Sequence, residues 1–345
     1  MATSSYDVIV MGDELAGLLA GALCGRRGLR VLVAQQSGAA HEKYTVGPYA
    51  FAPTPFSLPL AHSSAVRRII DELNLTQSLK RRLVDLTPPF QWVLPDARID
   101  VTSDPDGFAR ELAREFPEHQ EALLSFVDKA RDVSKVIEPV LGARNVSVPP
   151  SGFWEKRELG YSDAKLPAAD LDFLPGVPSH HPLRAAIRLP AAFSLALDPR
   201  TLTPTAIARA FDLWRRGGTL LEGGQNTLRH LLIDKLRRQH AADIRPLRGG
   251  QLHVGWSKAS GLSVPDSKED LDASAFLCAT SLDSFATFFN GKPPKRLSQG
   301  VRAIVPSAYR YVLHLVMSEA GVPEGLGKVA FVLRDPRQPL IDDNA

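Results

Sequence analysis

The sequence predicts an α/β fold with a Rossmann-type core, and three observations carry that expectation. The chain opens on an apolar run without alternation, Asp7-Val8-Ile9-Val10-Met11, as a central parallel strand covered on both faces reads. Gly12-Asp13-Glu14-Leu15-Ala16-Gly17 then leads into a small-residue helix to about Arg27, and a second apolar run occupies residues 30–35. Strand, tight turn, helix and strand in that order are the layout of a dinucleotide-binding βαβ unit. Finally, at 345 residues the chain is long enough for two domains, or for one large α/β domain with an inserted second one.

Within the βαβ unit the turn departs from G-x-G-x-x-G. The second glycine of that pattern lets the backbone approach a pyrophosphate, and here Glu14 holds the position. Like charges at close range in a poorly solvated site cost several kcal/mol. The acid that takes the ribose hydroxyls is normally about twenty residues further on; this strand ends at Gln35, followed by Gln36. Gly12 and Gly17 also have a purely structural reading, as a tight turn and a close helix–sheet contact. Glu14 has one too, as a first-turn acid that suits the helix dipole.

The remaining elements follow from local pattern. Leu15, Leu18, Leu19, Ala22 and Leu23 share a face of the first helix, Gly17 and Gly21 permit close approach, and Gly28 ends it after Arg26 and Arg27. The next strand then runs parallel to the first, because such crossovers are right-handed. Residues 37–62 read as a looped excursion with one short strand near 49–51. Helices are expected at 64–73, opened by Ser63 and Ser64, and at 77–83.

Residues 90–101 read as a hairpin turned at Pro95-Asp96. Asp104-Pro105 starts a helix to 116, and Pro117 starts a longer one through 140. Residues 149–182 read as loop and contain His180-His181. Thr203-Pro204 starts a helix to about 216, and Gly223-Gly224 precedes one over 225–239 with Leu228, Leu231, Leu232 and Leu236 inside. Strands are expected at 243–247, 251–256 and 275–279, and a separate sheet from 311–317 and 328–333.

Composition narrows the class. Hydrophobic residues make up 44%, which belongs to a folded soluble protein, and 41 basic against 38 acidic residues predict no nucleic-acid partner. No signal peptide precedes the first strand, and no stretch has the roughly eighteen apolar residues of a membrane span. Cys24 and Cys278 lack metal-ligand spacing and read as buried small hydrophobes, which suits a cytoplasmic location.

The order of the segments resembles the phytoene desaturase-like branch of the FAD-dependent amine oxidase and Rab GDP-dissociation inhibitor superfamily. The resemblance rests on the 7–35 unit, on residues 44–55 before Ile70-Asp71-Glu72-Leu73-Asn74-Leu75, and on Leu94-Pro95-Asp96. It continues through Phe116-Pro117, Gly223-Gly224, Ala242-Asp243-Ile244-Arg245 and Phe276-Leu277-Cys278-Ala279-Thr280. It implies a Rossmann-type FAD/NAD(P)-binding domain interrupted by an α+β substrate domain. The divisions would be 1–90 and 216–290 for the first, 91–215 for a helical substrate part, and 291–345 for an incomplete substrate-domain sheet.

The resemblance also implies an FAD-dependent oxidoreductase acting on an apolar, isoprenoid-like substrate, with FAD at Gly12, Glu14, Leu15, Ala16, Gly17, Gln35 and Gln36. Amides of the first helical turn would face phosphate. It supplies no catalytic residue. Three departures qualify the transfer: Glu14; the lone Gly38 where the family has a Gly-Gly-Arg segment; and the end at Asp342-Asp343-Asn344-Ala345, before the glycine-rich turn that closes over the flavin. The alternatives are therefore a flavin-free binding or scaffold protein holding an apolar molecule or prenyl group, as Rab GDP-dissociation inhibitors do, or one part of a split enzyme completed by a second chain.

Other residues carry blander readings. His180 and His181 point to opposite faces in extended chain with no acid or thiol adjacent, so they read as a loop pair and no metal site is expected. Lys80-Arg81-Arg82, with Arg67 and Arg68, is a solvated helix face or a peripheral contact for anionic lipid headgroups; the balanced charge favours the first. Trp92, Trp154, Trp214 and Trp256 are scattered and read mostly as core.

Overall fold

The computed structural model describes residues 4–35, 44–52, 62–143, 152–163, 165–168, 170–195, 201–240, 242–247, 250–255, 259–264, 269–289, 295 and 311–335. The chain forms two compact units: unit 1 holds residues 1–56, 69–81 and 222–306, and unit 2 holds 57–68, 82–221 and 307–345. No helix among the described residues is long and apolar enough to cross a membrane.

The chain starts with β1 (Ser4–Met11), α1 (Leu15–Arg26) and β2 (Val31–Gln35). α1 buries Gly17, Leu18, Gly21, Ala22 and Gly25, a stripe of mostly small residues. Gly28, at φ +85°, ends it, with the Gly28 and Leu29 amides donating to the Gly25 and Cys24 carbonyls. That paired closure needs a left-handed residue at Gly28's position. A hairpin follows, β3 (Tyr44–Val46) and β4 (Tyr49–Phe51), where the sequence pattern suggests one strand. Next come α2 (Ser64–Glu72), α3 (Thr76–Lys80) and β5 (Leu83–Asp85). The second of these helices is shorter than its sequence pattern because residues 83–85 are drawn into a strand.

β6 (Phe90–Val93) and β7 (Arg98–Val101) form the expected hairpin. α4 (Pro105–Glu115) is capped by the Asp104 carboxylate, which accepts from the Gly107 amide at 2.8 Å. Pro117 starts a 3-10 turn, Pro117–His119, and only then α5 (Gln120–Gly142). α6 (Phe153–Asp163) stands where loop is expected; its eleven residues contain no proline, and Phe153 and Trp154 are exposed, so no apolar face marks it. After α7 (Pro182–Ala186) and α8 (Leu189–Leu195) comes α9 (Pro204–Arg215), capped by the Thr203 hydroxyl. β8 (Thr219–Leu221) pairs with β5, and α10 (Gln225–Asp234) runs on through a π turn, Lys235–Gln239. β9 (Asp243–Pro246), β10 (Gln251–Val254), β11 (Ala259–Val264), β12 (Glu269–Cys278), α11 (Leu282–Thr287) and β13 (Ala330–Val332) complete the described elements.

Unit 1 is built on a six-stranded sheet in the order β10-β11-β12-β1-β2-β9. β12, β1, β2 and β9 are parallel and β10, β11 and β12 antiparallel, so the architecture is a mixed α/β sheet of Rossmann type. Ile9, Met11, Leu32, Ala34, Leu262 and Leu271 form its core. At the strand starts, Arg245 donates to Tyr6 at 2.9 Å, to Asp243 at 3.0 Å and to Glu269 at 3.2 Å, which ties β9 to β1 and β12. Burial, with Asp243 beside it, pushes the Tyr6 hydroxyl up to about 12. Cys278 is exposed, contrary to its reading as a buried hydrophobe, because it ends the strand; Cys24 is half-buried.

Unit 2 has the sheet β13-β6-β7 against an aromatic core. Phe90 lies edge-on to Phe331 at 5.3 Å, to Trp214 at 6.0 Å and to Phe211 at 6.2 Å, contacts worth about 0.5–1.5 kcal/mol each beyond the buried area. Trp92 and Trp214 are core, as expected, and Trp154 is not. Of the separate sheet expected from the last apolar runs, only residues 330–332 form a strand, parallel to β6. Residues 311–317 pair with no described strand, and Tyr311 is 88% exposed. Alternating apolar residues make a strand only where an edge is there to receive their amides and carbonyls.

Ser64 is not a serine cap. Its hydroxyl and amide both donate to Glu138 on α5, at 2.9 and 2.6 Å, and Arg209 on α9 donates to the same carboxylate at 3.1 and 3.0 Å. Burial pushes the Glu138 carboxyl up, but the Ser64 and Arg209 donors outweigh it and hold the group below the usual glutamate range. Arg68 donates to the carbonyls of Gly142 and Ala143, which closes the end of α5. The Glu138→Gln variant is expected to lose about 1–3 kcal/mol at neutral pH, the value of charge-assisted hydrogen bonds, read by urea unfolding. The folded-state pKa lies below the unfolded one, so this stabilisation is present above the unfolded value and is lost as pH falls through the folded value. Wild type and variant should therefore converge at acid pH.

Candidate functional site

The turn between β1 and α1 is set by backbone sterics. Gly12 has φ +115°, and a Cβ there would lie 2.4 Å from the Ala279 carbonyl oxygen; a Cβ at Gly17 would lie 2.3 Å from the Gly12 carbonyl oxygen. The Ala279 amide donates to the Met11 carbonyl and the Gly12 amide to Ala34, so the turn is pinned from both neighbouring strands. Both glycines are thus required by packing alone.

Glu14 occupies the N-cap position of α1 at φ −68° and ψ 167°, a conformation that any residue adopts, and its side chain makes no cap bond. It is exposed, as is Ala16, while Leu15 is half-buried. Asp13 is turned inward. Its carboxylate accepts from Arg229 of α10 at 2.9 Å and from the Gln35 side-chain amide at 3.3 Å, and Arg229 also donates to the Asp13 carbonyl. The Asp13 side chain is 4% exposed and that of Arg229 12%. Gly12, Glu14, Leu15, Ala16, Gly17 and Gln35 are therefore gathered at one turn, and Gln36 lies outside the described residues.

Sequence reasoning missed Asp13 and Arg229, which are 216 positions apart. A carboxylate directly before Glu14 was the visible half of the signal. No local pattern marks an arginine on α10 as its partner.

This turn does not fit the pyrophosphate of FAD. Two carboxylates stand at the end of β1, Arg229 is committed to Asp13, and the Gln35 amide is spent on the same group. The amides that open α1 remain, but a helix end offers only about half a charge.

Unit 2 contributes a separate cavity of about 260 Å³, with Ile137, Leu195, Ala210, Leu213 and Trp214 as apolar wall and Arg209 among the polar groups. Ser194 beside it accepts from the Trp214 indole at 2.7 Å.

No family model matches the chain, and no curated protein matches it in sequence. Solved structures match in fold. The PF1083 protein from Pyrococcus furiosus superposes with a TM-score of 0.51 at 13% identity, covering 87% of this chain and 66% of that one. A putrescine oxidase redesigned in its cofactor binding gives 0.49 at 16% identity, over 87% and 64%. A Rab GDI from Plasmodium falciparum gives 0.46 at 11%, over 83% and 67%. The chain thus spans about two thirds of the length of the first of these, and the likeness is one of fold alone.

The Arg229→Met variant, which leaves the Asp13 carboxylate buried without its cation, is expected to lose about 3–5 kcal/mol. Asp13→Asn combined with Arg229→Met should recover most of that, since two neutral groups replace a broken pair. Urea unfolding midpoints of the two variants check this.

Proposed function

We propose that the chain is a flavin-free binding protein on the fold of the flavoprotein oxidoreductases. The observation that supports this reading is the Asp13–Arg229 pair beside Glu14: the Arg229 guanidinium is held by the protein's own carboxylate. The resemblance to Rab GDP-dissociation inhibitors favours the same class.

The ligand of this reading is an apolar group. The cavity beside Trp214 has the required lining, and at about 260 Å³ it is slightly below the roughly 300–1,000 Å³ of pockets that enclose drug-sized molecules. It suits the end of a prenyl or acyl chain better than a whole isoprenoid. Oxidation by this chain alone would need FAD seated at the turn, so the enzyme reading stands or falls with flavin uptake.

The purified 345-residue chain incubated with FAD and desalted should keep no visible flavin absorbance, and its Tm should not rise. A ligand at a hundred times its Kd would add about 2.7 kcal/mol to native stability, so uptake would not escape notice. Retained flavin together with a raised Tm would sink the proposal.

A further inference from the structure

Between α4 and α5 the 3-10 turn carries Glu118 and His119, and the loop before α7 brings His181 to meet them. One ligand atom from each residue lies within 4.8 Å of the other two. The two imidazole rings are 4.5 Å apart between centroids with planes at 83°. His119 Nε2 is 3.9 Å from a Glu118 carboxylate oxygen. Phe116 packs edge-on against the His181 ring at 5.2 Å, and the Leu183 amide donates to His181 Nδ1 at 3.3 Å. The His181 ring is thus held in place by its surroundings.

We propose that Glu118, His119 and His181 form a binding site for a divalent transition-metal ion of the zinc type. Two imidazole nitrogens, which are borderline donors, with one hard carboxylate suit Zn²⁺, Co²⁺, Ni²⁺ or Cu²⁺; Mg²⁺ and Ca²⁺ demand oxygen shells. Bonds of about 2.0–2.2 Å to a tetrahedral ion place ligand atoms roughly 3.3–3.5 Å apart. No pair in the cluster therefore has to close by more than a little over 1 Å, and the Glu118 side chain, 60% exposed, has room to rotate inward. Three protein ligands leave a fourth position for water or a small anion. An approach exists, because His181 also lines a cleft of about 780 Å³ walled by Leu94, Phe116, His180 and Arg334. The adjacent pair His180-His181 is not the site: the two residues that complete it come from the turn after α4. The inference goes beyond the binding role proposed above and does not depend on the turn of unit 1.

A neutral imidazole carries one proton. With Nδ1 accepting from Leu183, that proton sits on Nε2. An ion on Nε2 sends the proton to Nδ1 and ends the Leu183 bond; an ion on Nδ1 displaces the Leu183 amide directly. Metal loading is therefore read at the Leu183 amide.

The test is a calorimetric titration of the tag-free 345-residue chain with Zn²⁺, repeated with Co²⁺ and its visible spectrum. A single saturable site, a tetrahedral Co²⁺ spectrum and a shifted Leu183 amide resonance are expected. His119→Gln and His181→Asn should each weaken binding at least about tenfold, the lower end of what even outer-sphere changes cost. Asparagine keeps the capping role of His181, so that variant should retain the native circular dichroism and Tm. His180→Ala should bind as wild type does. The proposal is overturned if wild type shows no saturable Zn²⁺ binding, if His119→Gln and His181→Asn bind as tightly as wild type, if Mg²⁺ binds as well as Zn²⁺, or if His180→Ala costs as much as His181→Asn.

Discussion

The close approach of α1 to the ends of β1 and β12 governs the rest of unit 1. With Ala279 and Gly12 presenting carbonyl oxygens 2.3–2.4 Å from where side chains would begin, only glycine can stand at positions 12 and 17, and the helix must start where it does. That start rotates Asp13 into the protein and Glu14 out of it. The same two glycines make a nucleotide-binding turn in other proteins of this architecture. Here the packing requirement explains them without a ligand, which is why the turn speaks to fold more than to function.

An inward carboxylate at that place calls for a cation. Arg229 meets Asp13 with two nitrogens, and Gln35 adds an amide. A buried ion pair adds little net stability over apolar residues of the same size, but it punishes the loss of either partner. Its effect is to hold α10 against the βαβ turn in one register. The consequence is chemical: the Arg229 guanidinium is committed to Asp13.

Unit 2 is organised differently, around the aromatic cluster of Phe90, Trp214 and Phe331 and around Glu138, which gathers Ser64 and Arg209. Elements with a local signature were legible. Asp104 and Thr203 open α4 and α9, and Pro95-Asp96 turns the hairpin, because each acts on atoms within three or four residues. α6 was illegible because its exposed aromatics give it no face, and residues 311–317 were misleading because alternation records propensity without recording a partner.

By itself the sequence determined the βαβ unit, the glycine turn, the caps at Asp104 and Thr203 and the inward leucines Leu228 and Leu232 of α10, all of which depend on φ/ψ preference and on apolar period over short stretches. The tertiary structure alone decided that Arg229 reaches Asp13, that Ser64 donates to Glu138, and that His181 joins Glu118 and His119 and not its neighbour His180. The reason is the same in each case. A pair 216 or 74 positions apart has no spacing to read, and its contact exists only because packed helices and strands bring two distant side chains to one point.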